Sequence, residues 1–336
     1  MPGIYEADQA VPVKDYGEEL YVVQSHEVPK LRLIGVDSNK MTQMLQDWEA
    51  ESRSRLGFAG VKDGADVSAY NGQTAVAMVA YGTHQRESWM VTKVMSKTAT
   101  AGIKNQVKHQ RTEAMKRLRE VMERSVGSAQ EMQRGTSAAE YNHRGAFCWL
   151  NHELQSVQAV DASLRLASGC IHTGTTAALT EAAFEAMVSA AATQVGHAVS
   201  LKGFVGSTLK SSMSDWGKKI PVTQATEQAL QSFNINVSEK RLLKMVNTFE
   251  FDDGLVETMV DYNLVCDPST GADSAYTPLS GLFLDMSRWK KRYMQNVTEF
   301  ALPDLGGGPR GYADVVWMLK CGLPAGQMVV YSASAT

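Results

Sequence analysis

Residues 100–128, TAGIKNQVKHQRTEAMKRLREVMERSVGS, carry the strongest local signal in this 336-residue chain. Ile103, Val107, Ala114, Leu118 and Val121 recur at spacings of three, four and seven, which places them on one face of a long amphipathic helix. Gly127 is its expected stop. Lys104, Lys108, Arg111 and Arg119 fall on a second strip, while Glu113 and Glu120 stand four residues before Arg117 and Arg124, where helical pairs form. With 7 basic against 3 acidic residues, the segment is net positive in a chain whose formal charge is -3. A helix of this kind needs an apolar surface to lie on, and the rest of the chain offers strands more often than helices. Because strands and helices do not alternate regularly, the pattern predicts an α+β fold rather than a doubly wound sheet.

The bounds on function are mostly exclusions. The 33 basic and 36 acidic side chains nearly cancel, so a globally basic nucleic-acid binder is not indicated. A 44% hydrophobic content is enough to bury a real core. Cys148, Cys170, Cys266 and Cys321 are far apart with no C-x-x-C pair, which reads as reduced packing residues and not as a zinc site or disulfide scaffold. Neither a signal peptide nor a long apolar run is evident, so a soluble, cytosolic product is expected.

Residues 1–42, with Pro2, Pro12 and Pro29 and no sustained period, read as an extended arm. From 43 to 98 the text reads as a long two-stranded excursion. Its turn signals are Asp63-Gly64 and Asn71-Gly72, and alternation runs through Trp89, Val91, Lys93 and Met95. An isolated hairpin is marginal in water, so this one is expected to lie on a neighbouring subunit or on its own domain. Residues after Gly145 read as short strand and loop. A second helix begins after Thr180, with Leu179 and Phe184 placed for a hydrophobic staple and Gly196 as its stop. Further on come a strand at AVSLKGFVG, a short helix capped by Ser207, a β-hairpin turning at 252–254, and a strand at GLFLDMSRW. The C-terminus reads as two strands around a turn.

Catalytic signals are sparse. There is no G-x-S-x-G elbow and no P-loop, and Asp252-Asp253 is explained by its tight turn. Gly306, Gly308 and Gly311 spell G-x-G-x-x-G, which in a nucleotide-binding oxidoreductase would sit between a strand and a helix. The residues after Gly311 read as strand, so a structural connector is the better expectation. No catalytic residue, cofactor or metal ligand is assigned.

The order of parts, together with LRLIG (31–35), DWEAESRSR leading to DGADVS, QRESWMVTKVMSKTATAG running into KNQVKHQRTEAMKRLREVMERSV, RGAFCWL, LTEAAFEAMVSAAATQVG, STLKSSMSDW and FEFDDGLVETMVDYNL, resembles the HK97-type fold of tailed-bacteriophage major capsid proteins. The segment DLGGGPRGYADVVWML departs from that group's pattern. The resemblance implies an N-terminal arm (1–42), an E-loop hairpin (43–98), a spine helix with the first part of a peripheral domain (99–150), an axial domain (151–281) and a return to the peripheral domain (282–336). It implies a structural, non-enzymatic protein whose copies form hexamers and pentamers of an icosahedral head around double-stranded DNA, assembled in the host cytoplasm and located in the virion. Portal, scaffold or decoration proteins are its implied partners, and no membrane is. An encapsulin-like compartment is the alternative within the fold. On this reading Lys104, Lys108, Arg111 and Arg119 face the lumen and its DNA or a neighbouring subunit, and Trp48, Arg55, Lys62 and Trp89 are expected E-loop contacts between subunits.

Overall fold

The computed structural model describes residues 27–52, 62–64, 66, 75–97, 105–173, 179–216, 235–236, 241–242, 246–265 and 276–331. In chain order the helices are α1 (Pro29–Leu33), α2 (Lys93–Lys97), α3 (Gln106–Val126), α4 (Ala146–Leu150), α5 (Glu181–Val195) and α6 (Ser207–Trp216). The strands are β1 (Gly35–Val36), β2 (Leu45–Ala50), β3 (Val76–Tyr81), β4 (Thr83–Met90), β5 (Ile171–Thr173), β6 (Val199–Val205) and β7 (Ile235–Asn236). They continue with β8 (Arg241–Leu242), β9 (Thr248–Phe251), β10 (Gly254–Val260), β11 (Gly281–Leu284), β12 (Trp289–Leu302), β13 (Arg310–Cys321) and β14 (Met328–Tyr331).

The chain divides into two compact units. One comprises Val28–His84, Val121–Gln295 and Val316–Thr336, and the described part of the other is built from Gln85–Glu120 and Asn296–Val315. Helix α3 and strands β4, β12 and β13 each supply a segment to both.

In the first unit a six-stranded mixed sheet runs β5-β14-β11-β6-β10-β9. Its longest pairing is the parallel pair β6 and β10, in register from Gly254↔Val199 to Val260↔Val205. Helix α5 packs on this sheet for reasons that are local in the sequence. Thr180 caps it, its side chain accepting a hydrogen bond from the Ala183 N–H, and Gly196 ends it in the left-handed region at φ 84°. Leu179 and Phe184, the staple pair, are both buried. The Phe184 ring is 5.2 Å from that of Phe283, 5.7 Å from Trp216, 5.8 Å from Phe251 and 6.1 Å from Phe249, so one aromatic side chain gathers α6, β9 and β11. The β9–β10 hairpin turns at Asp252-Asp253, with Gly254 paired to Phe251.

Several sequence expectations are corrected. Helix α3 starts at Gln106, because the Asn105 side chain accepts the Lys108 N–H at 2.9 Å and caps it there. Its buried stripe is Ala114, Leu118, Met122 and Val126, while Val121 is 37% exposed. Glu113 pairs with Lys116 rather than with Arg117, whose partner is Glu87 at 3.8 Å. Among the described residues of the excursion, Leu45–Ala50 pairs with Val76–Tyr81, in register from Leu45↔Tyr81 to Ala50↔Val76. Beyond it, β4 joins a separate four-stranded sheet ordered β1-β12-β13-β4, and the supposed alternation through Lys93 and Met95 is helix α2. AFCWL is helix α4, every residue of it buried. Ser207 is the first residue of α6 and not its cap; its N–H donates to the Tyr276 hydroxyl at 2.6 Å. The two C-terminal strands belong to different sheets and do not pair with each other. Cys148, Cys170 and Cys321 are free and buried, and burial pushes the Cys321 thiol up to about 12 and the Cys170 thiol up to about 11. Cys266 lies outside the described residues.

Candidate assembly surfaces

The glycine-rich loop 303–309 joins the neighbouring strands β12 and β13, a connection too short for a parallel crossover. Its shape is set by Asp304, whose Oδ1 accepts the N–H of Gly306 at 2.7 Å and of Gly308 at 3.0 Å. These N–H bonds hold the Asp304 carboxyl below the ordinary carboxylate range. Gly306 and Gly308 have φ of 104° and 117°, a region that side chains avoid, and a Cβ on Gly308 would lie 2.2 Å from the Val91 carbonyl oxygen. The Val91 N–H in turn donates to the Pro309 carbonyl at 2.9 Å. The amides of Gly306 and Gly308 are thus spent on the chain's own carboxylate, and a strand stands where a dinucleotide site needs a helix. This corrects the oxidoreductase alternative.

Beside this loop Trp89 is 7% exposed, and a Cβ on Gly311 would lie 2.8 Å from its ring. The indole expected between subunits therefore packs inside its own chain. Met90, Val94, Leu302 and Leu305 of the same unit are exposed, Leu305 at 79%. Arg86 covers the ring of Tyr312 at 4.2 Å and reaches Asp314 at 3.3 Å, and Tyr312 stacks on Phe300 at 5.2 Å.

The basic strip of α3 is only partly open. Lys104 lies outside the described residues. Arg111 is held by both oxygens of Glu299, Nη2 to Oε2 at 2.8 Å, which raises its pKa and satisfies its charge within the chain. Lys108 and Arg119 are exposed, and among the described residues no carboxylate pairs with either. Two cations of the strip thus face outward and one is neutralised.

Of the expected E-loop contacts, Arg55 lies outside the described residues, and Lys62 is exposed beside the turn at Asp63-Gly64. Trp48, on β2, is half-buried. Its ring is 5.8 Å from that of Trp149 and is covered by Lys320 at 5.4 Å, so the expected contact residue packs on its own chain.

Three buried charge clusters escaped sequence reasoning because their members are distant along the chain. The Asp37 side chain, 5% exposed, accepts Arg292 Nη2 at 2.7 Å and Nε at 3.1 Å and has Lys320 at 3.6 Å. Arg144, fully buried, donates to Glu131 at 2.9 Å and to the Val157 carbonyl at 2.7 Å, and lies 4.7 Å over Trp149. Lys30 meets Glu123 and Asp261. Lys210 is also 4% exposed, its Nζ on the Val246 carbonyl and on Thr258, and burial pushes it down to about 8. Among the described residues no cluster of His, Cys, Asp and Glu could hold a metal ion, and no helix is long and apolar enough to cross a membrane. The arrangement suits holding a chain rigid and presenting surfaces.

Comparison with known proteins assigns this architecture. Among solved structures the chain is similar to a capsid chain of cyanophage A-1(L), with a TM-score of 0.63 and 15% identity over 98% of each chain. It is similar to a chain of Mycobacterium phage Bobi, with a TM-score of 0.58 and 9% identity over 99% of this chain and 100% of that one. It is also similar to a capsid chain of a native GTA particle, with a TM-score of 0.57 and 10% identity over 97% and 96%. At these identities the likeness establishes the fold, which is the HK97-type capsid fold. No curated protein matches the sequence. The sequence profile of the SU10 major capsid protein family, however, matches residues 4–329, and the chain accordingly belongs to that family and is a structural protein of a phage capsid.

Proposed function

We propose that copies of this chain form hexameric and pentameric units that close into an icosahedral head around double-stranded DNA, and that the chain has no catalytic activity. The observation that carries this reading is the family match across nearly the whole length, residues 4–329. Physical features support it. Arms and hairpins that a lone subunit cannot cover are buried when identical copies meet by closed symmetry. A near-neutral chain can enclose a duplex without gripping it.

In this reading 1–42 is the arm, 43–98 the E-loop, 99–150 the spine helix and first part of the peripheral domain, 151–281 the axial domain and 282–336 the return. Assembly takes place in the host cytoplasm, with portal, scaffold or decoration proteins as partners. Lys108 and Arg119, with Lys104 beside them in sequence, face the lumen or a neighbouring acidic surface, while Arg111 serves mainly to fix Glu299. Lys62 remains the described E-loop residue best placed to reach another subunit.

Sedimentation of the expressed chain tests the assembly, with particles of many subunits expected and a monomer or dimer contradicting it. Reversing Lys108 and Arg119 to glutamate tests the strip. Reduced DNA retention or impaired assembly is expected, and normal behaviour in both would remove the role given to these two residues.

A further inference from the structure

Lys30, Glu123 and Asp261 come from α1, the last turn of α3 and the residue after β10, and they meet where water does not reach. Lys30 and Glu123 are 0% exposed and Asp261 is 1% exposed. The Nζ of Lys30 contacts Oδ2 of Asp261 and lies 3.1 Å from Oε1 of Glu123. Both carboxylates are fixed from behind. Glu123 accepts the backbone N–H of Lys30 at 2.8 Å and of Leu31 at 2.7 Å, and Oδ1 of Asp261 accepts the Asn263 N–H at 2.8 Å, which turns Oδ2 toward the lysine. Gly127 leaves the room this needs, since a Cβ there would lie 2.8 Å from both Cε and Nζ of Lys30.

Lys291, whose Nζ donates to the Leu31 carbonyl, also acts on Glu123, yet sealing an ammonium between two carboxylates away from water still carries a large desolvation cost. Condensation would abolish one charge of each sign together. Held reactants of this kind react with effective concentrations far above any free pair.

We propose that Lys30 and Asp261 are joined by an intrachain isopeptide bond, formed with Glu123 as the proton carrier. A proton passes from the Lys30 ammonium to the Asp261 carboxylate, leaving a neutral amine and a neutral acid. The Nζ lone pair attacks Cγ, and the new C–N bond gives a tetrahedral centre. Glu123 Oε1 takes a second proton from Nζ and delivers it to the hydroxyl on Cγ. That C–O bond breaks, water leaves, and an amide remains with Glu123 again ionised. Atoms and charge balance, and no oxidant or activated co-substrate is required. Burial raises the Glu123 carboxyl above its ordinary range, with Lys30 opposing, which suits a group that must both take and return a proton near neutral pH. The bond would close a covalent ring from residue 30 to residue 261, so that the later part of the N-terminal arm could not be pulled from the fold. The inference does not rest on shell assembly.

The test is the mass of the full-length chain after denaturation, with tandem mass spectrometry of its digest. The expected result is a chain lighter by one water, with a branched peptide joining Lys30 to Asp261. A chain at the full mass of its sequence overturns the proposal, as does a water loss without that branched peptide. Glu123→Gln is expected to slow bond formation at least about a hundredfold, the scale of a lost acid–base group. Formation at the wild-type rate removes the part given to Glu123. The wild-type masses decide the main question whether or not the variant folds.

Discussion

Replacing Asp37 with alanine strands one buried cation, Arg292, and takes a partner from a second, Lys320, whose side chain is 19% exposed. Arg292 is 8% exposed, its Nη2 and Nε both directed at Asp37 Oδ2, and Lys320 Nζ stands 3.6 Å from the same oxygen. Only Nη1 of Arg292 keeps a partner in the variant, the Gln46 side-chain oxygen at 3.1 Å. Removing one member of a buried ion pair costs about 3–5 kcal/mol, because the remaining charge keeps its desolvation penalty and loses its compensation. Asp37→Leu combined with Arg292→Met is expected to recover most of that loss, since an apolar pair of similar bulk carries no such penalty. Urea titration followed by tryptophan fluorescence, on protein too dilute to assemble, would show the midpoint falling with an unchanged slope. Burial raises the Asp37 carboxyl, but the hydrogen bonds and charge of Arg292 outweigh it, and the net shift is below the ordinary 3.8. Its contribution is therefore fully present above that value and fades as pH falls through the lower folded one, so wild type and Asp37→Ala should converge in acid. A cost below about 1 kcal/mol at neutral pH, the scale of an exposed pair, would refute the reasoning by showing that water reaches Arg292.

Single side chains elsewhere set three more outcomes. Phe184→Ala should cost about 3–5 kcal/mol in the same titration, because four aromatic neighbours lose their common contact. His143 is 1% exposed and burial pushes it down to about 4, so the fold loses stability as pH falls from 6.5 toward 4. His143→Phe should flatten that slope, which is worth up to about 3 kcal/mol. Gly308→Ala should destabilise the loop by more than about 1 kcal/mol through both its φ and its clash with Val91, read as faster hydrogen exchange at residues 304–308.

The features legible in the sequence were those decided within a few residues. Thr180, the Leu179–Phe184 staple and Gly196 mark both ends of α5 because capping is local, and the Asp252-Asp253 turn sets the β9–β10 hairpin in the same way. The short apolar run AFCWL looked like strand because one buried turn of helix has no period to show. The shift of the α3 stripe from Val121 to Met122 depends on what the helix lies against, which no local pattern contains. The charge clusters were illegible for a related reason: Lys30 and Asp261 are 231 residues apart, and Asp37 and Arg292 are 255. Trp48 and Trp89 looked like surface aromatics in a loop, yet Trp149 and Gly311, which receive them, lie in remote segments. The glycine fingerprint was legible once its surroundings were weighed, since strand and not helix comes after it.

Electron microscopy of the purified, expressed chain tests the central claim most directly. Closed shells or sheets built of hexameric units, with pentamers where the surface closes, are the predicted result. A homogeneous monomer or dimer that never associates, across protein and salt concentrations that favour assembly, would contradict it.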